Sequence, residues 1–256
     1  MAGRVSVVGV IPARYASQRL PAKPLVDLLG KPMVRRVYEQ AKKAQLLDRV
    51  IVATDDARIE SAVKQFGGDV VLTAPEIASG SDRVAAVASR TDGDLFVNIQ
   101  GDEPLIAPET IDQAVQLLLD DPAVPVGTLV KRIDAAEELS NPSIVKVVVD
   151  RNRFAMYFSR SAIPYIRDAA DVRRWPDRHE FYRHIGMYVF RREFLTAYAG
   201  LPSSGLEKAE KLEQLRILEA GYKIKTGITT CDSISVDTPE DVARVVQLLK
   251  NAASVS

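Results

Sequence analysis

The feature that most constrains this 256-residue chain is the alternation of short, β-branched apolar runs with helix-like segments in its first half. Val5–Ile11, Val50–Ala53, Val70–Leu72 and Leu95–Ile99 read as strands. Pro32–Ala44, Ala57–Phe66, Ser81–Ser89 and Pro108–Leu119 read as the helices between and after them. Such a rhythm predicts an α/β fold built on a mostly parallel, doubly wound sheet. The middle of the chain breaks it. Val126–Arg132, Ile144–Asp150 and Ala155–Phe158 read as strands with no helix between them, and Ile185–Phe190 as another. The polar stretch Tyr165–Glu180, with Trp175-Pro176 inside it, reads as a mobile loop. Glu207–Ala220 is then predicted as one amphipathic helix with Leu212, Leu215 and Leu218 inward. Ile224–Ile228 returns to strand, and Pro239–Leu249 closes with a helix. The simplest partition is one domain with an inserted β-rich lobe at roughly 125–190, which is also the candidate for oligomer contacts.

Charge excludes some partners. Lys plus Arg equals Asp plus Glu at 34 each, so no overall field favours nucleic acid or a membrane surface. The apolar run at the N-terminus is too short to span a bilayer and lacks a cleavage signature, so the expected location is the cytoplasm. Cys231 is the only cysteine, which rules out an internal disulfide or a cysteine-rich zinc site; it reads as a small buried residue.

Ligands of open α/β sheets bind beyond the carboxyl ends of the strands. The first strand runs into IPARYASQRLPAKPL at 11–25, which carries Arg14, Arg19 and Lys23 among small residues. Small side chains let backbone N–H groups approach an anion, and three cations suit a triphosphate. The same residues also suit a solvated loop paired with surface acids. Neither the dinucleotide glycine pattern nor the P-loop pattern occurs. The fourth strand ends on NIQGDEP at 98–104, where Asp102 is either a turn residue or a hard oxygen ligand for magnesium. In VDTPED at 236–241, Thr238, Pro239 and Asp241 form a helix start, which leaves Asp237 unexplained. Asp102 and Asp237 are both expected at strand ends of one sheet, placed to share a metal.

These segments, with ATDD at 53–56, SGSDR at 79–83, YFSRSAIP at 157–164, RHIGMY at 183–188 and LEQLR at 212–216, resemble the CMP-Kdo synthetases, the 3-deoxy-manno-octulosonate (Kdo) cytidylyltransferases. The resemblance runs over nearly the whole chain. It implies a nucleotide-diphospho-sugar transferase fold, a homodimer, Mg2+ as cofactor and a role in lipopolysaccharide synthesis. It implies that Arg14, Arg19 and Lys23 hold the CTP phosphates, and that Ser79, Gly80, Arg83 and Gln100 lie near the nucleotide. Asp102 and Asp237 are the implied metal ligands, with Lys23, Arg19 and Asp102 the catalytic set. Arg160, His184, Tyr188, Glu213 and Gln214 are the implied sugar pocket. Two positions depart from the family pattern: Ala22 stands where many members have Gly, and Ser81-Asp82 replaces Thr-Glu.

The residues agree with that chemistry. Attack of a sugar hydroxyl on the α-phosphorus of CTP asks mainly for positioning and charge neutralisation. An acidic sugar asks for a cation, and Arg160 can grip a carboxylate through two parallel hydrogen bonds. Taken alone, Glu213 and Gln214 also suit a solvated helix face, His184 a structural role and Tyr188 a strand core. Rival readings are a cytidylyltransferase for a sialic acid or for 8-amino-Kdo, and a nucleotide-binding regulator without catalysis.

Overall fold

The computed structural model describes residues 4–16, 19–77 and 79–253. Ser17 and Gln18 of the basic loop lie outside the described residues. The chain divides into two compact units, Met1–Asp112 with Asp232–Ser256, and Gln113–Cys231.

In the first unit, strands β1 (Val7–Ala13), β2 (Arg49–Thr54), β3 (Asp69–Leu72) and β4 (Leu95–Asn98) alternate with helices α1 (Met33–Ala41), α2 (Ala57–Gln65) and α3 (Gly80–Ala88). The strands pair in parallel in the order β3-β2-β1-β4. β1, β2 and β4 are apolar along almost their whole length because both sheet faces are covered. Val10, Ile11, Ile51, Val52, Phe96 and Val97 are all fully buried. α1 packs on β1 and β2, α2 on β2 and β3, and α3 on β1, β2 and β4. The chain steps outward from β1 to β2 and β3, then returns to β4 on the other side of β1. That reversal is the topological switch point, where a crevice opens beyond the strand ends.

α4 (Pro108–Asp120) carries the boundary between the units, and α9 (Pro239–Ala253) belongs to the first. The return of the chain to the first unit is fixed by a small core. Leu28, Met33, Val236 and Val245 are fully buried together, with Ile234 and Leu249 against them. The main chain closes it, since Val236 N donates to Asp102 O at 2.9 Å. Residues 232–237 form no sheet strand, so the expectation that Asp237 ends a strand is corrected. One main-chain hydrogen bond and an apolar plug hold the segment instead.

The second unit contains β5 (Val126–Arg132), α5 (Ala136–Ser140), β6 (Lys146–Val149), β7 (Ala155–Ser159), β8 (Tyr182–Arg191), α6 (Arg192–Tyr198), α7 (Gly205–Glu210), α8 (Gln214–Glu219) and β9 (Ile224–Ile228). β5 pairs antiparallel with β8 and parallel with β9, and β6 pairs antiparallel with both β7 and β8. Four expectations change here. A helix, α5, does lie between β5 and β6. The stretch Tyr165–Glu180 is anchored: Trp175 is 5% exposed, packs with Ile133, Leu139 and Phe181, and donates from Nε1 to Ala169 O at 2.7 Å. The single helix over Glu207–Ala220 is two helices, because Lys211 adopts a left-handed conformation with φ 55°. That break resets the helical phase, so Ile217 rather than Leu218 is buried with Leu212 and Leu215. Cys231 is half-buried rather than buried.

Candidate active site

The basic loop after β1 and the turn after β4 meet at the switch point of the first unit. They line a cleft of about 680 Å³ that includes Arg14, Arg19, Lys23, Gly80, Gln100, Asp102 and Asp237. The walls stand unusually close. A Cβ on Gly101 would lie 2.4 Å from Pro12 O, well inside contact distance, so only glycine lets the two strand ends approach this far. The loop then turns through Ala22, at φ 54° and ψ 30°, into a single 3-10 turn over Lys23–Leu25. Alanine here takes the left-handed conformation that glycine adopts without cost, so the loop carries backbone strain at this position.

Lys23 is the hub. Its Nζ lies 2.6 Å from Asp102 Oδ2 and 2.8 Å from Asp237 Oδ1, and Arg19 Nη2 lies 3.0 Å from the same Asp237 oxygen. Burial works against the Lys23 charge, but the two carboxylates outweigh it, Asp102 most, and the ammonium is held above its ordinary range. Two aspartates 135 positions apart (237 − 102) therefore converge on one side chain, the Lys23 ammonium. Among the described residues, no group of three or more His, Cys, Asp or Glu side chains is placed to hold a metal ion by itself. Two carboxylates that converge on one cation, beside a basic phosphate-sized cleft, are a donor set that suits magnesium, which takes its remaining ligands from phosphate and water.

Local rules explain why Asp237 points there. Thr238 Oγ1 accepts from Asp241 N at 3.3 Å. The Asp241 carboxylate accepts in return from Thr238 N at 2.9 Å and from Asp237 N at 3.0 Å. This is a capping box with Asp in place of Glu, and it lowers the Asp241 pKa chiefly through the Asp237 N–H. Only the main chain of Asp237 joins this box; its side chain has no part in it, as expected, and is left for the cleft.

Ser79 caps α3: its Oγ accepts from Asp82 N at 3.0 Å, which places Gly80 at the helix start. A Cβ on Gly80 would lie 3.3 Å from Asn98 Nδ2, so this wall is also tight. Arg83, fully buried, donates to Thr73 Oγ1, to Asp55 Oδ2 at 3.1 Å and to Ile77 O at 3.2 Å. Asp55 also lies 3.9 Å from Arg14 Nε. Sequence reasoning gave Asp55 no role, although it sits in a quoted motif at the end of β2. It is the carboxylate that ties Arg14 to Arg83.

The five residues assigned to a sugar lie in the second unit. His184 and Tyr188 sit on β8 with ring centroids 5.1 Å apart, and Phe158 meets His184 edge-on, also at 5.1 Å. Burial pushes the His184 imidazole down to about 3, so it is neutral at any ordinary pH. Burial first, then the nearby Glu213 carboxylate, pushes the Tyr188 phenol well above its usual value, so it stays a donor. Glu213 and Gln214 are not on a helix interior: Glu213 is the N-cap of α8 and Gln214 its first residue, immediately after the Lys211 break. Tyr188 Oη and Gln214 Nε2 are buried without a hydrogen-bond partner among the described residues. Orphaned buried donors of this kind mark a place that a polar ligand or water completes. Arg160 donates from Nε to Glu210 O at 2.7 Å and from Nη1 to Pro142 O at 2.9 Å. Nη2 also donates to Lys211 O at 3.5 Å, so all three guanidinium nitrogens already reach main-chain carbonyls, and a carboxylate would be met by the second N–H that each terminal nitrogen retains. The Arg160 carbonyl is held by Lys146, which is fully buried and donates at 2.5 Å to it and at 2.7 Å to Ile144 O. Nothing in the sequence separated Lys146 from the other cations.

The β3-β2-β1-β4 order with a basic loop at its switch point defines a nucleotide-binding class of α/β protein, and the comparisons narrow it. The profile of the family described as Cytidylyltransferase matches residues 8–224. A relative from Syntrophotalea carbinolica named 3-deoxy-manno-octulosonate cytidylyltransferase is 52% identical over 94% of this chain and 97% of its own length. A solved structure of CMP:2-keto-3-deoxy-manno-octonic acid synthetase complexed with CTP superposes with a TM-score of 0.90 at 44% identity, covering 96% of this chain and 99% of that one. The fold alone is shared with 4-diphosphocytidyl-2C-methyl-D-erythritol synthase from Anaerococcus prevotii, with a TM-score of 0.61 at 11% identity over 96% and 99% of the two chains. The chain is therefore a cytidylyltransferase by class. It belongs to the 3-deoxy-manno-octulosonate cytidylyltransferase, or CMP-Kdo synthetase, family.

Proposed function

We propose that this protein activates Kdo with CTP, giving CMP-Kdo and pyrophosphate for lipopolysaccharide synthesis. The sugar's anomeric 2-hydroxyl oxygen attacks the α-phosphorus of CTP. One O–P bond forms, the bond to the bridging oxygen of the β-phosphate breaks, pyrophosphate leaves with that oxygen, and the hydroxyl proton is released to water. The observation that carries the reading is the convergence of Lys23 on Asp102 and Asp237 beside Arg14 and Arg19, in a cleft sized for a nucleotide triphosphate.

Arg14, Arg19 and Lys23 bind the phosphates, and Arg19 and Lys23 offset the charge that builds on pyrophosphate. Gly80 and Gln100 line the cleft and frame the nucleotide, while Ser79 caps the helix that presents Gly80 and the buried Arg83 acts from behind through Asp55. Asp102 and Asp237 would hold magnesium, which when bound would supply positive charge against the phosphates and lower the pKa of the attacking hydroxyl. Lys23 leaves the two carboxylates for phosphate when substrate arrives. Arg160 takes the sugar carboxylate, while His184, Tyr188, Glu213 and Gln214 read hydroxyls. The enzyme works in the cytoplasm as a homodimer, as the family resemblance implies. Among the described residues, no helix is long and apolar enough to cross a membrane.

The test is pyrophosphate release by the purified protein with CTP and magnesium, comparing Kdo, 8-amino-Kdo and sialic acid. Release with Kdo is expected. Release with 8-amino-Kdo or sialic acid in preference reassigns the substrate, and none with any sugar leaves a nucleotide-binding regulator.

A further inference from the structure

Thr128 is a fully buried polar residue in the apolar strand β5, and its hydroxyl has three neighbours. Oγ1 lies 2.6 Å from Met187 O, 3.3 Å from Ile185 O and 2.9 Å from His184 Nε2. Two carbonyls reach the same hydroxyl because of an irregularity in the ladder. Thr128 pairs with Tyr188 but Leu129 pairs with Ile185, so Gly186 and Met187 bulge out of β8. The same bulge brings His184 alongside Tyr188.

The proton bookkeeping leaves one solution. A threonine hydroxyl has one proton and can otherwise only accept. Carbonyl oxygens only accept, so the proton goes to Met187 O, the shortest contact. Towards His184 the oxygen must then accept, and Nε2 must carry the hydrogen. We infer that Thr128 is a positioning residue that fixes His184 as the Nε2–H tautomer and thereby presents Nδ1 as a hydrogen-bond acceptor to a hydroxyl of the sugar. No hydrogen bond to Nδ1 is present among the described residues. Phe158 and Tyr188, each with its ring centroid 5.1 Å from that of the imidazole, keep the ring from turning over. The part of the inference that concerns the sugar rests on the assignment of His184 to the sugar pocket; the tautomer does not.

The test combines imidazole 15N spectra of the full chain with steady-state kinetics. The wild-type spectrum is expected to show His184 protonated at Nε2. Thr128→Val removes the acceptor and should give a mixture of tautomers. The Michaelis constant for Kdo should rise about tenfold, the equivalent of one hydrogen bond, while that for CTP stays within about twofold. Thr128→Ser restores the oxygen and should behave as wild type, which separates tautomer control from general damage to the strand. His184→Asn, whose amide can stand in for Nδ1, should keep more affinity for Kdo than His184→Gln, whose amide stands in for Nε2. A wild-type spectrum with the proton on Nδ1 overturns the inference without any variant. An Nε2–H spectrum with an unchanged Kdo constant in both Thr128→Val and His184→Gln leaves the tautomer lock standing and removes His184 from the sugar pocket.

Discussion

Replacing Gly101 by alanine tests the cleft geometry more directly than removing any charge. The added Cβ would sit 2.4 Å from Pro12 O, and real Cβ atoms essentially never come within 3.0 Å of such a neighbour. The obstacle is main chain, so no rotamer change relieves it. The ends of β1 and β4 must separate by about 0.6–1 Å, an overpacking distortion of the kind that costs about 1–3 kcal/mol. The separation falls between Ala13-Arg14 on one wall and Gln100–Asp102 on the other. A misplacement of about 1 Å around a reacting phosphate can cost on the order of 100-fold in rate. Gly101→Ala is therefore expected to fold, to melt a few degrees lower, and to lose about 100-fold in kcat/KM by pyrophosphate release. Its response to magnesium should persist, since Asp102 and Asp237 remain. Wild-type kcat/KM in a folded Gly101→Ala protein would refute the argument that this close approach sets the cleft.

Three further outcomes follow from particular contacts. Asp102→Asn keeps the shape but removes a carboxylate from Lys23 and from the proposed metal site; turnover should be lost while CTP still binds weakly, as equilibrium nucleotide binding would report. Normal magnesium-dependent turnover in that variant would overturn the metal assignment. Ala22→Gly should relieve the left-handed strain at φ 54° and raise stability by about 1 kcal/mol, or roughly 2–4 °C by thermal unfolding, since the strain outweighs the extra chain entropy of glycine. For His184, the folded pKa of about 3 lies below the ordinary 6.5, so the unfolded chain binds the proton first as pH falls. Its contribution is fully present above pH 6.5 and lost progressively towards pH 3, with a slope of at most about 1.4 kcal/mol per pH unit. His184→Asn should flatten the acid limb of a stability-versus-pH curve by that amount; an unchanged limb would show that His184 is not buried neutral.

The sequence by itself determined the βαβα unit and the cleft at its strand ends that Arg14, Arg19, Lys23, Asp102 and Asp237 line together. The β-branched runs mark strands covered on both faces, and their spacing leaves room only for crossover helices. It also isolated Asp237, because Thr238, Pro239 and Asp241 are fully explained by a helix start and Asp237 is not. These are local signals, carried by periodicity and capping within a few residues of one another. What the tertiary structure alone decided depends on residues far apart in the chain. Lys23 between Asp102 and Asp237 spans more than two hundred positions, and Asp55 reaches both Arg14 and Arg83. The helix over Glu207–Ala220 had an unbroken amphipathic pattern, yet it breaks at Lys211, placing Glu213 and Gln214 at a helix start. Tyr165–Glu180 looked unanchored because its scattered apolar side chains, Ile166, Val172 and Trp175, find their cover on Ile133, Leu139 and Phe181. Thr128 carried a signal, a polar residue inside VGTLV, but its meaning required the two-residue bulge opposite it. Periodicity records which way a side chain faces, whereas the partner it meets there is set by packing, and in this protein the chemistry lies with the partners.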